Sequence, residues 1–138
     1  MDKSKTHIAM ADCPEIQDRW EPEDGDWGYS IRGGVQCIHE GTILLGELLS
    51  RLKHDFIYLP SQRQYQDMIN WKTNYTISMW DSSAEGIIQR LHMEVEFCGE
   101  TVYYFLADTV EQLWCKFYMK DTHNKTWSGE KWTKVKLT

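Results

Sequence analysis

Twice in this chain a short aromatic run passes directly into a helix-start signal. "FIYL" at 56–59 leads to Pro60 and Ser61, with Gln64 three residues beyond the serine. "TVYYFLA" at 101–107 leads to Asp108, with Glu111 three residues beyond the aspartate. The first four amides of a helix have no intrahelical acceptor, and a side-chain oxygen at the cap supplies one. A glutamine or glutamate three residues on returns the favour to the cap amide. A strand that enters a capped helix without a linker keeps that helix beside its own sheet. The two junctions therefore commit the chain to mixing strands with helices.

The rest of the chain reads in the same terms. Pro22 and the acidic, glycine-bearing "EDGD" mark a turn. "WGYSI" and "VQCIH" flank Arg32-Gly33-Gly34 and predict a β-hairpin. Leu45, Leu48, Leu49 and Leu52 share one helical face and predict a helix capped at Thr42, with a strand and turn at Gly46 as the rival. Ser82 lies three residues before Glu85, and Ala84, Ile87, Ile88, Leu91 and Val95 continue at helical spacing, which predicts another helix. Beyond Asp108 the stripe is Val110, Leu113, Trp114 and Phe117. Residues 1–19 show no strong period and are expected to be loosely ordered. The expected architecture is a single α+β domain over 20–138, a small, mostly antiparallel sheet packed with three to four helices.

At 138 residues the chain can bury a core without a disulfide or metal staple. The longest apolar stretch, "TILLGELL", is broken by Gly46 and Glu47, and the start of the chain lacks the apolar run of a signal peptide. The expectation is a cytoplasmic protein with no membrane partner. Its four cysteines, Cys13, Cys37, Cys98 and Cys115, are then free thiols.

Most candidate sites have a plainer reading. Cys37 and His39 would share one side of a strand, but zinc needs about four ligands, and His54, His92 and Cys98 show no ligand spacing. Glu21, Glu23, Asp24 and Asp26 lack the spacing of a calcium loop and read as a solvated turn. Gln62, Arg63 and Gln66 give an exposed amide face, more often a soluble helix surface than a reader of bases. There is no nucleophile elbow and no phosphate-cradling glycine loop. The sequence therefore assigns no catalytic, cofactor-binding or metal-binding residue, and it implies no cofactor.

The C-terminal part is different. Residues 116–138 hold six lysines and two acids, on a protein whose net charge is −6. Within it, "KTWSGEKWTKVKL" places Ser128-Gly129 between two short arms and sets Trp127 opposite Trp132. Lys125, Trp127, Lys131, Trp132 and Lys134 form the candidate binding surface. The plain reading is a strut in which two indoles staple a hairpin to the preceding helix. The sharper one is a platform that stacks bases while lysines hold phosphates, which the acidic body disfavours.

Several patches resemble small uncharacterised proteins encoded by phages and prophages of Gram-positive bacteria. The matching positions are Pro14 to Gln17, Trp20 with Pro22 and Gly25-Asp26, Leu59-Pro60 with Gln62, Glu111 to Trp114, and Trp127 to Trp132. The resemblance leaves residues 72–100 outside and lends no catalytic residue. It implies the cytoplasm of an infected or lysogenic bacterium. With the aromatic content, it points to a non-enzymatic accessory protein that binds a host or phage protein. Single-stranded nucleic-acid binding through the basic hairpin and a small enzyme with a dispersed His/Cys site are the alternatives. Self-association through an open sheet edge also stays open.

If the two tryptophans are struts, Trp127→Ala and Trp132→Ala will each cost up to ~3–5 kcal/mol, read as a lowered melting temperature. Two variants melting like the parent would mark a platform instead.

Overall fold

The computed structural model describes residues 2–21, 23, 25–30, 34–37, 56–82 and 90–135. Within them lie four helices: α1 (Lys5–Ala11), α2 (Pro14–Gln17), α3 (Gln62–Met68) and α4 (Val110–His123). Three antiparallel sheets accompany them. The first has the order β2-β1-β3, from β1 (Trp27–Ser30), β2 (Gly34–Cys37) and β3 (Ile57–Leu59). The second is a meander of β4 (Tyr75–Ser82), β5 (Arg90–Phe97) and β6 (Glu100–Ala107). The third is the C-terminal hairpin of β7 (Lys125–Trp127) and β8 (Trp132–Lys134). The α+β class read from the sequence is the observed one.

Both strand-to-helix junctions form. At Ser61 the capping box closes: Gln64 N donates to Ser61 Oγ at 3.3 Å and Ser61 N donates to Gln64 Oε1 at 2.9 Å. At the second junction the cap is Thr109 rather than Asp108, with Gln112 N donating to Thr109 Oγ1. Neighbouring residues here both suit a cap, and each has an acidic or amide residue three further on. Asp108 instead faces Arg90 across 3.5 Å.

Where the helix expected from Ser82 falls on described residues, those residues are strand. Ser82 ends β4, and Leu91 and Val95 lie in β5, while Ala84, Ile87 and Ile88 fall outside the described residues. Leu91, Met93, Val95 and Phe97 alternate with polar residues, and this period of two matches the pairing of β5 with strands on both sides. The β5–β6 turn has two central residues, Cys98 and Gly99, both with positive φ (55° and 82°), the geometry of a type I′ hairpin. The helix expected around Leu45–Leu52 also lies outside the described residues.

The N-terminal segment is the main departure. Residues 1–19 are expected from the sequence to be loosely ordered, yet the described residues 2–19 hold α1 and α2 and bury His7, Met10, Ala11 and Ile16. Tertiary contacts fix helices too short to stand alone. Gln17 lends both ends of its amide to the edge of β3 away from β1: Nε2 donates to the Tyr58 carbonyl at 3.0 Å, and Oε1 accepts from Tyr58 N at 2.8 Å. His7 is fully buried, with Nδ1 donating to the Asp2 carbonyl and Tyr65 Oη donating to Nε2, each at 2.8 Å.

Asp2 ties this segment to the start of α4. Its carboxylate accepts from Ser4 N at 2.8 Å, Thr109 Oγ1 at 2.5 Å and Gln112 Nε2 at 3.0 Å. Burial works to raise its pKa, but the hydrogen bonds from Thr109, Ser4 and Gln112 outweigh it and hold the carboxyl below its ordinary 3.8. A depressed folded-state value stabilises the fold above the unfolded value and is lost as pH falls through the folded one. Asp2→Asn should therefore cost about 1–3 kcal/mol at neutral pH. Paired urea melts should show the gap to the parent closing as pH falls below 3.8.

Candidate functional site

Helix α4 follows β6 after two residues and packs back on it. Tyr103 and Phe105 of β6 bring their rings to within 5.9 and 6.1 Å of Phe117. The helix ends at Asn124, whose left-handed conformation (φ 55°, ψ 41°) turns the chain into β7. Asparagine tolerates that region better than most residues. The hairpin therefore returns alongside α4, and the loop from Ser128 to Lys131 closes with Ser128 N donating to the Lys131 carbonyl at 3.0 Å.

These three elements border a cleft of about 380 Å³. Tyr104, Phe105 and Leu106 come from β6, Lys116 and Lys120 from α4, and Lys125, Trp127 and Trp132 from the hairpin. Lysines four apart on a helix share one face. Each ammonium has a protein partner. Lys116 Nζ donates to the Leu106 carbonyl at 2.6 Å, and Lys120 Nζ to Asn124 Oδ1 at 3.2 Å. Lys125 pairs with Glu15 at the start of α2. Burial lowers the Lys116 pKa, and the positive charge of Arg90 adds to the shift. The Lys125 hydrogen bond draws the Glu15 carboxyl down against its partial burial.

Of the five residues the sequence marked as a binding surface, Lys125, Trp127 and Trp132 line this cleft. Lys131 and Lys134 are exposed and stand outside its lining. Trp127 and Trp132 are paired in register, with ring centroids 5.1 Å apart and planes at 60°. Both are half-buried against the core, and Trp132 Nε1 donates to the Met10 carbonyl of α1 at 2.8 Å. The rings thus brace the hairpin and also wall the cleft. The sequence did not mark Tyr104 or Leu106. Their run was legible as a strand, but that it lies at a sheet edge depends on non-local pairing.

A second cluster lies on the face of the meander away from α4. Ser82 Oγ is 2.7 Å from His92 Nε2, and His92 Nδ1 is hydrogen-bonded to the Tyr104 hydroxyl. Trp80 stacks on the imidazole with centroids 5.3 Å apart and planes 2° from parallel. Trp80 is 42% and Tyr104 54% exposed. Glu94, cross-strand between Ser78 and Tyr104, shares the face and accepts from Thr101.

The metal ligands considered from the sequence do not come together where they are described. His92 and Cys98 are six residues apart along β5 and its turn, roughly 20 Å in extended chain, and Cys37 belongs to another sheet. His39 and His54 lie outside the described residues. Among those described, no three His, Cys, Asp or Glu residues group as metal ligands would. Cys13 and Cys115 are buried, and burial pushes the Cys13 thiol up to about 12 and that of Cys115 further. Such thiols stay protonated and are poor nucleophiles. The acidic turn is structural: Asp26 accepts from Trp20 Nε1 and Glu23 N, each at 2.9 Å, and from Gln64 Nε2 at 2.7 Å.

No protein-family model, no curated protein and no solved structure matches the chain. No helix among the described residues is long and apolar enough to cross a membrane.

Folding lowers the Lys116 pKa, so the charged ammonium carries a burial cost below that pKa and sheds it as pH rises through it. Lys116→Met keeps the aliphatic stem and removes the charge. At pH 7 it should melt at or above the parent temperature by calorimetry.

Proposed function

We propose that the protein is a non-enzymatic binding protein that engages another protein through the cleft between β6, α4 and the C-terminal hairpin. Its place would be among the cytoplasmic accessory proteins of a phage or prophage, as the motif resemblance implies. The observation that carries the reading is the double use of the tryptophan hairpin. Trp127 and Trp132 each pack on the core yet keep surface in a cleft that the lysines of α4 and β7 also line. Rigid aromatic rings suit a protein interface, where Trp and Tyr are among the residues that dominate the energetics, and the lysines add charge that steers an acidic partner. The motif patches behind the resemblance support a scaffold role. Gln17, Trp20, Asp26 and Trp132 are all engaged in internal hydrogen bonds.

Single-strand nucleic-acid binding is the second reading, favoured by the presence of Lys116, Lys120 and Lys125 beside two indoles. Against it stand the pairing of Lys125 with Glu15 and the position of Lys131 and Lys134 outside the cleft. Photo-crosslinking residues placed at Thr126, in the cleft, and at Thr76, on the outer sheet face, separate the two. Thr126 should capture a discrete protein from Gram-positive host cytoplasm while Thr76 captures none. Equal labelling at both positions would remove the cleft reading. Tryptophan quenching by single-stranded DNA that fades steeply with salt would favour the nucleic-acid reading.

A further inference from the structure

We infer that the cleft receives an extended acidic segment of the partner, added as a new strand to the free edge of β6. This rests on the protein-binding reading and names the chemistry of what is bound.

Strand β6 pairs with β5 on one side, and no described strand pairs with it on the other. In an antiparallel strand a residue's N–H and C=O point to the same side, and the side alternates along the chain. The Leu106 carbonyl accepts from Lys116 Nζ and so faces the outer edge. Tyr104, two residues back, presents its backbone on that same edge. Beyond it the register with β5 shifts between Val95 and Glu96, so the regular run is Tyr103–Ala107. That is enough for a short peptide to pair.

Bare edges invite pairing, and proteins blunt them with lysine. Here Lys116 reaches from α4 onto one edge carbonyl. A peptide N–H can replace the ammonium on Leu106. The released ammonium, which has three donors, can then bind a peptide carboxylate. The exchange leaves no group unpaired.

The spacing selects the peptide. Lys116 and Lys120 are one helical turn apart, which places their β-carbons about 5–6 Å from each other. Side chains two apart on a strand are separated by about 6.6 Å. Acidic residues at alternate positions therefore meet both lysines. The residue between them projects to the other face, beside Tyr104. The charge balance agrees: three lysines line the cleft, and Glu15 pairs with one of them.

The probe is an acetylated heptapeptide of alternating glutamate and valine, titrated into ¹⁵N-labelled protein with tryptophan fluorescence in parallel. Amide shifts centred on Tyr104 and Leu106, slowed exchange there and a change in indole emission are expected. Lys120→Glu and Lys116→Met, each first shown to melt like the parent or higher, should weaken binding roughly tenfold or more, as loss of a charge-assisted hydrogen bond does. N-methylating the set of alternate peptide amides that faces β6 should abolish it, while methylating the other set should not. Binding that survives both methylations overturns strand addition. Equal binding of the lysine-for-glutamate peptide overturns the acidic preference. Shifts at Tyr104 and Leu106 that grow with protein concentration alone would assign the edge to a second copy and overturn the inference. If no peptide binds while Thr126 still captures a protein, the inference fails and the protein-binding reading stands. If Thr126 also captures nothing, both fall.

Discussion

Helix α4 is buried on nearly every side, and that constraint shapes the rest of the molecule. Leu113, Trp114, Cys115, Phe117, Tyr118 and Met119 are all buried, so the apolar surface runs well past the stripe of Val110, Leu113, Trp114 and Phe117. A helix apolar on most of its circumference needs more than one cover. The meander supplies one, through Tyr103 and Phe105 against Phe117. The N-terminal segment supplies another, with Met10 and Ile16 in the same core cluster. The C-terminal hairpin adds its two half-buried indoles. The segment expected from the sequence to be loosely ordered is thereby built into the core.

Burying so much around one helix takes polar groups inside with it, and most of them are hydrogen-bonded; among the described residues the Trp114 indole N–H of α4 is buried without a partner. Among the described residues the buried polar or charged ones are Asp2, His7, Asp26 and Gln112, and each has partners. An unpaired buried group would cost ~1–3 kcal/mol or more, so these bonds matter chiefly for what their loss would leave behind. They also join parts of the chain far apart in sequence. Asp2 meets Gln112, His7 meets Tyr65, and Trp132 meets Met10. The contacts stabilise termini whose short elements have little helix or hairpin stability of their own.

What was legible in the sequence was local. Ser61 with Gln64, the β1–β2 hairpin arms and the facing of Trp127 with Trp132 all depend on residues within about ten positions of each other, and each formed. The misreadings share a cause. Leu91 and Val95 satisfy a helical spacing and also a strand alternation with Met93 between them, and only pairing with β4 and β6 decides. At Asp108-Thr109 two adjacent caps compete, and the carboxylate of Asp2, more than a hundred residues away, engages the hydroxyl of Thr109. The cleft was half legible. Its lysines and tryptophans stand out in composition, but the edge of β6 has no sequence signature apart from the fold.

The three lysines of the cleft are not equivalent, and the difference follows from how the fold is tied. Lys125 is engaged with Glu15, which sits beside Cys13 at the start of α2 and whose backbone carbonyl accepts from Tyr118. Drawing Lys125 toward a ligand would loosen the join between the hairpin and the N-terminal helices, so part of any attraction is spent inside the protein. Lys120 gives up only a neighbouring asparagine side chain, and Lys116 only a carbonyl that a peptide amide can satisfy. Charge on α4 is therefore the more available, while charge on β7 serves mainly to hold the cleft's far wall. The same division holds for the indoles. Trp132 is anchored through its N–H to α1, so its ring is held by the core before any ligand arrives. A wall fixed in this way costs little further ordering on binding, and pre-organisation of that kind is what lets a small cleft retain an extended chain.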